Sequence, residues 1–138
     1  MAKEYINPDS LFPSLEHGFS QAVCATGGRT VYISGQTAWD KNRQIIGERD
    51  LGRQARQALC NVRSAVEAAG GRLADIVSLR IYVVDYQPGS AEAVGSAIRE
   101  FFHEEKCPAS TWLGVQALAV KDFLIEIEAT AVIEQDNT

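Results

Sequence analysis

From residue 123 to 133 the chain alternates. Phe123, Ile125, Ile127, Ala129, Ala131 and Ile133 fall on one parity, and Leu124, Glu126, Glu128, Thr130 and Val132 on the other, the period-two pattern of a strand with one buried face. Both carboxylates therefore share a face. Residues 110–118 sort the same way, with Thr111, Leu113, Val115 and Ala117 opposed to Ser110, Trp112, Gly114, Gln116 and Leu118. With a short Lys121-Asp122 turn between them, the two runs are predicted to pair, which would bring Glu126 near Ser110 or Trp112 across the pair.

The clearest helical period covers residues 50–69. Leu51, Ala55, Ala58, Leu59, Val62, Ala65, Val66 and Ala69 recur at three- and four-residue intervals, while Arg53, Gln54, Arg56, Gln57, Asn61 and Glu67 occupy the remainder. One stripe faces a core. Asp50 stands as the N-cap and Gly70-Gly71 as the stop. A second amphipathic helix is predicted over 91–104 through Val94, Ile98, Phe101 and Phe102, capped by Ser90. Between the helices, residues 76–84 form a strand apolar on both parities. Val77, Leu79, Ile81 and Val83 lie on one side, and Ile76, Tyr82 and Val84 with Ser78 and Arg80 on the other, so both faces need cover.

Upstream, residues 1–19 read as an arm interrupted by Pro8 and Pro13, with a short strand at 3–6. Residues 21–25 and 30–36 are two further strands, and the turn Thr26-Gly27-Gly28-Arg29 between them suggests a hairpin. Residues 37–50 are a polar loop, and 133–138 a tail. Together these elements predict one α+β domain over 1–138, a small sheet with both helices on one face. Its other face, carrying Tyr82, Ile76 and Val84, would be wet in a monomer, which predicts a symmetric homo-oligomer packed through sheet faces.

With 138 residues, 46% of them hydrophobic, the chain can bury a real core. Thirteen Lys and Arg against 18 Asp and Glu give a net charge of −5, and a binder of nucleic acid backbones needs the opposite balance. No nucleic-acid partner is expected. Cys24, Cys60 and Cys107 are widely spaced and odd in number, which fits a reducing compartment. The first residues show neither the basic and apolar regions of a secretory signal nor a membrane span, so the expected location is cytoplasmic, with no membrane partner. His17 and His103 lack metal-ligand spacing, and no metal or cofactor is expected. No cysteine has a His partner in a recognisable arrangement, and Cys107 alone merits a test as a nucleophile.

Six blocks carry a likeness to known proteins: SQAV (20–23), YISGQ (32–36), QARQALCNV (54–62), SLRIYVVD (78–85), CPAST (107–111) and IEIEATAV (125–132). In this order, over residues 20–132, they closely resemble the RidA/YjgF family. The resemblance implies a chorismate-mutase-like fold, a homotrimer, and small-molecule clefts between neighbouring subunits that hydrolyse reactive enamines and imines to ketoacids and ammonia. It also implies an arginine that clamps the substrate carboxylate, since a guanidinium fork matches a carboxylate bidentately. Here Ser110 holds that place. Phe19 stands where a tyrosine is usual, and Gly95 where many deaminating members carry an asparagine.

What survives of the implied site is Gly35, Thr111 and Glu126, the last as the carboxylate handling the attacking water. With Phe19, Ser110 and Trp112 as substrate contacts, these residues make the candidate set. Each has a plainer alternative: Glu126 as a solvent-facing strand residue or an ion-pair partner of Arg80, Trp112 as interface packing. Arg80, Arg29 or Arg43 are the cations left to replace the clamp, from this chain or a neighbour. Three functions follow: an imine or enamine hydrolase of altered specificity, a binding or sensing trimer without chemistry, and an RNA-cleaving or translation-inhibiting protein, which the acidic balance disfavours.

Overall fold

The computed structural model describes residues 3–135; the first two residues of the predicted arm and the last three of the predicted tail lie outside them. Eight main elements follow in order. They are β1 (Glu4–Ile6), β2 (Ala22–Cys24), β3 (Arg29–Gln36), α1 (Leu51–Ala68), β4 (Ile76–Val84), α2 (Pro88–Phe101), β5 (Ala109–Val115) and β6 (Ile125–Ile133). The alternation in β6 is realised residue by residue: every odd position from Ile125 to Ile133 is buried and every even one is half-buried. Ile133 is thus the last core residue of the strand and not part of a tail. Leu59, Val62 and Val66 of α1 and Val94, Ala97 and Ile98 of α2 close over that face, giving the expected α+β layer with both helices on one side.

The strand order is β3-β6-β4-β5, which corrects two pairings expected from sequence. β5 and β6 do not pair. Helix α2 is a crossover that delivers β5 parallel to β4, as a parallel pair requires, and residues 116–124 then carry the chain past β4 to its other edge, where β6 pairs antiparallel. Likewise β2 pairs with β1, Glu4 opposite Cys24, because the neighbour of β3 is β6. No hairpin joins β2 and β3.

Ile76 moves to the core through a β-bulge. Ile76 faces Ala131 and Ser78 faces Thr130, so two steps of β4 match one of β6 and the parity slips. Ile76 is 1% exposed beside Leu79, and Val77 is half-buried instead. The open face of the sheet is therefore more polar than predicted, with Ser78, Arg80 and Tyr82 on β4.

Helix α1 begins where its cap predicts, Asp50 Oδ1 accepting from Arg53 N at 3.0 Å. Gln54, expected on the solvated side, is fully buried. Its amide is spent on three backbone groups: Nε2 donates to Gly47 O (3.2 Å) and Asp122 O (3.1 Å), and Oε1 accepts from Leu124 N (2.9 Å). Helix α2 starts at Pro88, earlier than predicted, because proline suits a first turn that has no use for its missing N–H. Ser90 still helps, its hydroxyl accepting from Gln87 N at 2.9 Å. The helix also ends earlier, and Phe102 turns extended to bury its ring.

The arm is docked. A 3₁₀ turn at Ser14–His17 sits on α2 where Gly18, with φ +93°, faces Gly95. A Cβ on Gly95 would lie 2.9 Å from His17 O, too close for packed atoms, so any side chain at that position would lift the arm. Arg99 Nη1 donates to Glu16 O at 2.9 Å, and Ser20 Oγ donates to Cys107 O at 2.6 Å, tying the arm to the approach of β5. No helix among the described residues is long and apolar enough to cross a membrane.

Candidate functional site

Paired strands carry opposite residues on the same face, so the register assigns each candidate to a side. Ser110 lies opposite Leu79 and Trp112 opposite Ile81, both core residues under the helices. Thr111 lies opposite Arg80 and Leu113 opposite Tyr82, on the open face. Glu126 also points to the open face, two strands away from β5, opposite Tyr82. The expected approach of Glu126 to Ser110 or Trp112 does not occur within one chain, and neither does an ion pair of Glu126 with Arg80, whose partner in register is Glu128.

Glu126 has a defined seat. Ser34 and Gly35 together span the single step of β6 at Glu128, between the pairs Ile33–Ala129 and Gln36–Ile127, and this bulge brings the Gly35 backbone under the Glu126 side chain. A Cβ on Gly35 would lie 2.7 Å from Glu126 Cδ and 2.8 Å from Cγ, inside van der Waals contact. The carboxyl group occupies the space that only glycine leaves. Glu126 is half-buried there.

Beside it lies a polar patch of Tyr32, Arg80, Tyr82 and Glu128. Tyr82 donates its hydroxyl to Glu128 Oε1, a diagonal contact across β4 and β6. That hydrogen bond to a carboxylate, ahead of burial, holds the phenol above its usual range. Tyr32 is 82% exposed on β3 and, with Ser78, Arg80, Glu128 and Thr130, lines a hollow of about 260 Å³. The signal was present in the parity of β4 and β6, which places Arg80, Tyr82 and Glu128 on one face; the diagonal pairing needed the register.

The second group lies at the β5 edge. Trp112 Nε1 donates to Ser110 Oγ at 2.6 Å. Its ring meets Phe19 edge-on at 5.7 Å, and Phe19 meets Phe12 at 5.9 Å. Phe19, Ser110 and Trp112 are thus in one cluster, held by the docked arm and facing away from Glu126, Gly35 and Thr111. Cys107, at the start of this edge, is buried, and burial pushes its thiol up, which disfavours the nucleophilic thiolate. Among the described residues no group of three or more His, Cys, Asp or Glu side chains is placed to hold a metal ion.

The endoribonuclease L-PSP family model matches residues 11–133. A 2-iminobutanoate/2-iminopropanoate deaminase of Dermatophagoides farinae is 31% identical over 134 residues, covering 97% of this chain and all of the relative. One of the same name from Salmonella typhimurium is 39% identical over 107 residues, 76% of this chain and 80% of the relative. Among solved structures, a conserved Rid-family protein of unknown function from Yersinia pestis superposes with a TM-score of 0.92 at 42% identity, over 96% of this chain and 100% of that one. Matches of this extent, on top of the six ordered blocks and the two-helix mixed sheet, establish that the chain belongs to the RidA/YjgF family.

Proposed function

We propose that this protein is a RidA-like homotrimer that hydrolyses imines or enamines in clefts between subunits, with Glu126 as the base. One observation carries the proposal: Glu126 is seated over Gly35 on one face of the sheet, while Phe19, Ser110 and Trp112 gather on the other side at the β5 edge. Two sides of one sheet cannot meet, but the open face of one copy can meet the edge of the next. Tyr32 and Leu113, exposed on the open face, are the large side chains such a contact would cover. Two relatives named as imine deaminases support the chemistry.

In the reaction, Glu126 accepts a proton from water as the oxygen bonds to the C=N carbon, and the nitrogen takes a proton from solvent. The tetrahedral carbinolamine collapses when Glu126 returns its proton to the nitrogen. The C–N bond breaks as the hydroxyl proton passes to solvent, replacing the one the nitrogen took up, and leaves a C=O product and ammonia, so imine and water balance ketone and ammonia.

Complementation tests the shared cleft. Glu126→Gln and Trp112→Leu subunits, each inactive as pure assemblies, are expected to regain imine hydrolysis when refolded together, since roughly a quarter of the seams in a random equal mixture combine the two intact halves. Mixtures as inactive as their components would overturn the shared cleft. Gly35→Ala tests the seat: the added methyl displaces the carboxylate, and a shift of about 1 Å is expected to lower kcat about 100-fold with little change in melting temperature. Full activity would mean that the Gly35 seat is not required.

A further inference from the structure

Among the described residues, β5 itself contains no Lys or Arg, and His17 of the arm packs its ring on Phe12 at 5.9 Å. Arg99 is spent on Glu16 O (2.9 Å) and on Glu92 (3.7 Å), and Arg80 stands on the opposite face beside Glu128. Ser110 Oγ already accepts from the Trp112 indole, and the neighbouring hydroxyls of Ser14 and Ser20 donate to Phe19 O and Cys107 O. Trp112, Phe19 and Phe12 then run edge to face outward along the arm, and Phe12, 56% exposed, also lines a hollow of about 300 Å³. The rest of that hollow includes Leu11, Pro13 and Leu15 together with Asp9 and Glu16, and no Lys or Arg. An anion brought into the hollow meets two carboxylates, with the Arg99 guanidinium already engaged at Glu16 O and Glu92, whereas a flat apolar group meets aromatic edges and faces. The arrangement is held as a unit, because Gly95 is what lets the arm settle on α2 and bring Phe19 to Trp112.

From this we infer that the edge selects an uncharged imine bearing a planar aryl group in place of the carboxylate. The inference rests on the proposed imine hydrolysis for its reaction, and on the edge alone for its selectivity. Ser110 and Trp112 are the specificity-determining pair: the indole N–H takes a lone pair of the hydroxyl and fixes its position, leaving one neutral donor in place of a charge, and the ring beside it is offered to the substrate.

The test reads binding and turnover separately. Trp39 packs edge-on against Phe123, so Trp39→Phe leaves Trp112 as the sole tryptophan and its emission as the reporter. Acetophenone, the ketone product of an aryl imine, is expected to perturb that emission with at least about ten-fold tighter binding than 2-oxobutanoate, a difference of about 1.4 kcal/mol. Ser110→Arg is expected to reverse the order, and Phe19→Ala to abolish it. Equal or tighter binding of 2-oxobutanoate by the Trp39→Phe protein, or no response to acetophenone, overturns the inference. Turnover of the two imines is then compared. Aryl selectivity in binding without ammonia release from either would overturn the hydrolase proposal and leave the selectivity standing. Turnover that favours the carboxylated imine would do the reverse.

Discussion

Glu126→Gln is expected to lower kcat for imine hydrolysis about 10³-fold, the usual yield of a positioned general base, with KM changed by less than a factor of about three. The substitution removes basicity and keeps shape. Glutamine can occupy the same seat over Gly35, so the half-buried side chain keeps its packing, and melting temperature and assembly should match the parent. This separates the base from its neighbour. Glu128, two residues on along the same face, already accepts from Tyr82 and lies in register with Arg80; Glu128→Gln is expected to weaken that patch and leave kcat within about ten-fold. The measurement is ammonia release at saturating substrate for both variants. Unchanged turnover in Glu126→Gln removes it as the base, and a larger loss in Glu128→Gln would transfer the role to the Tyr82–Glu128 pair.

Much of the molecule was legible because local periodicity is a local property. The parity of β6, the stripe of α1 and the Asp50 cap each depend on residues within one turn or one strand, and each is realised. Pairing is not local. Whether β6 lies beside β5 or beyond β4 depends on α2 acting as a crossover, and nothing within residues 110–133 encodes that. Bulges are similarly silent in the pattern: one extra residue moved Ile76 into the core, and another brought Gly35 under Glu126. The candidate site suffered most from this, since its residue types were identifiable while the assignment of Ser110 and Glu126 to different sides required the register. Likewise, Phe19, Gly95 and Ser110 read in sequence as expected losses occurring together, with nothing to show how they connect. In the fold they form one structure, with Gly95 seating the arm, the arm carrying Phe19 to Trp112, and Trp112 holding Ser110.

Gln54→Leu is expected to cost about 3 kcal/mol of stability, the largest effect of any polar substitution in α1. A helix residue surrounded by polar neighbours normally faces water, but this one lies wholly inside, where it satisfies Gly47 O, Asp122 O and Leu124 N. Leucine matches its volume and supplies none of the bonds. Each orphaned buried group costs about 1–3 kcal/mol, reduced where water can reach it, as it can at the exposed Asp122. In a domain of this size that corresponds to a fall of roughly 10 °C in melting temperature, to be compared at fixed protomer concentration because assembly adds its own stabilisation. Gln57→Leu is the control, since Gln57 is half-buried and its one bond is to the Asn61 side chain; about 0.5 kcal/mol is expected there. The consequence reaches the proposed base. Leu124 enters β6 two residues before Glu126, so freeing its amide loosens the strand at the point that fixes the carboxylate over Gly35. Hydrogen exchange at Leu124 and kcat should therefore change together in Gln54→Leu. Faster exchange with unaltered kcat would show that β6 holds Glu126 without help from α1, and a loss of stability below about 0.5 kcal/mol would show that water replaces the three bonds at no net cost.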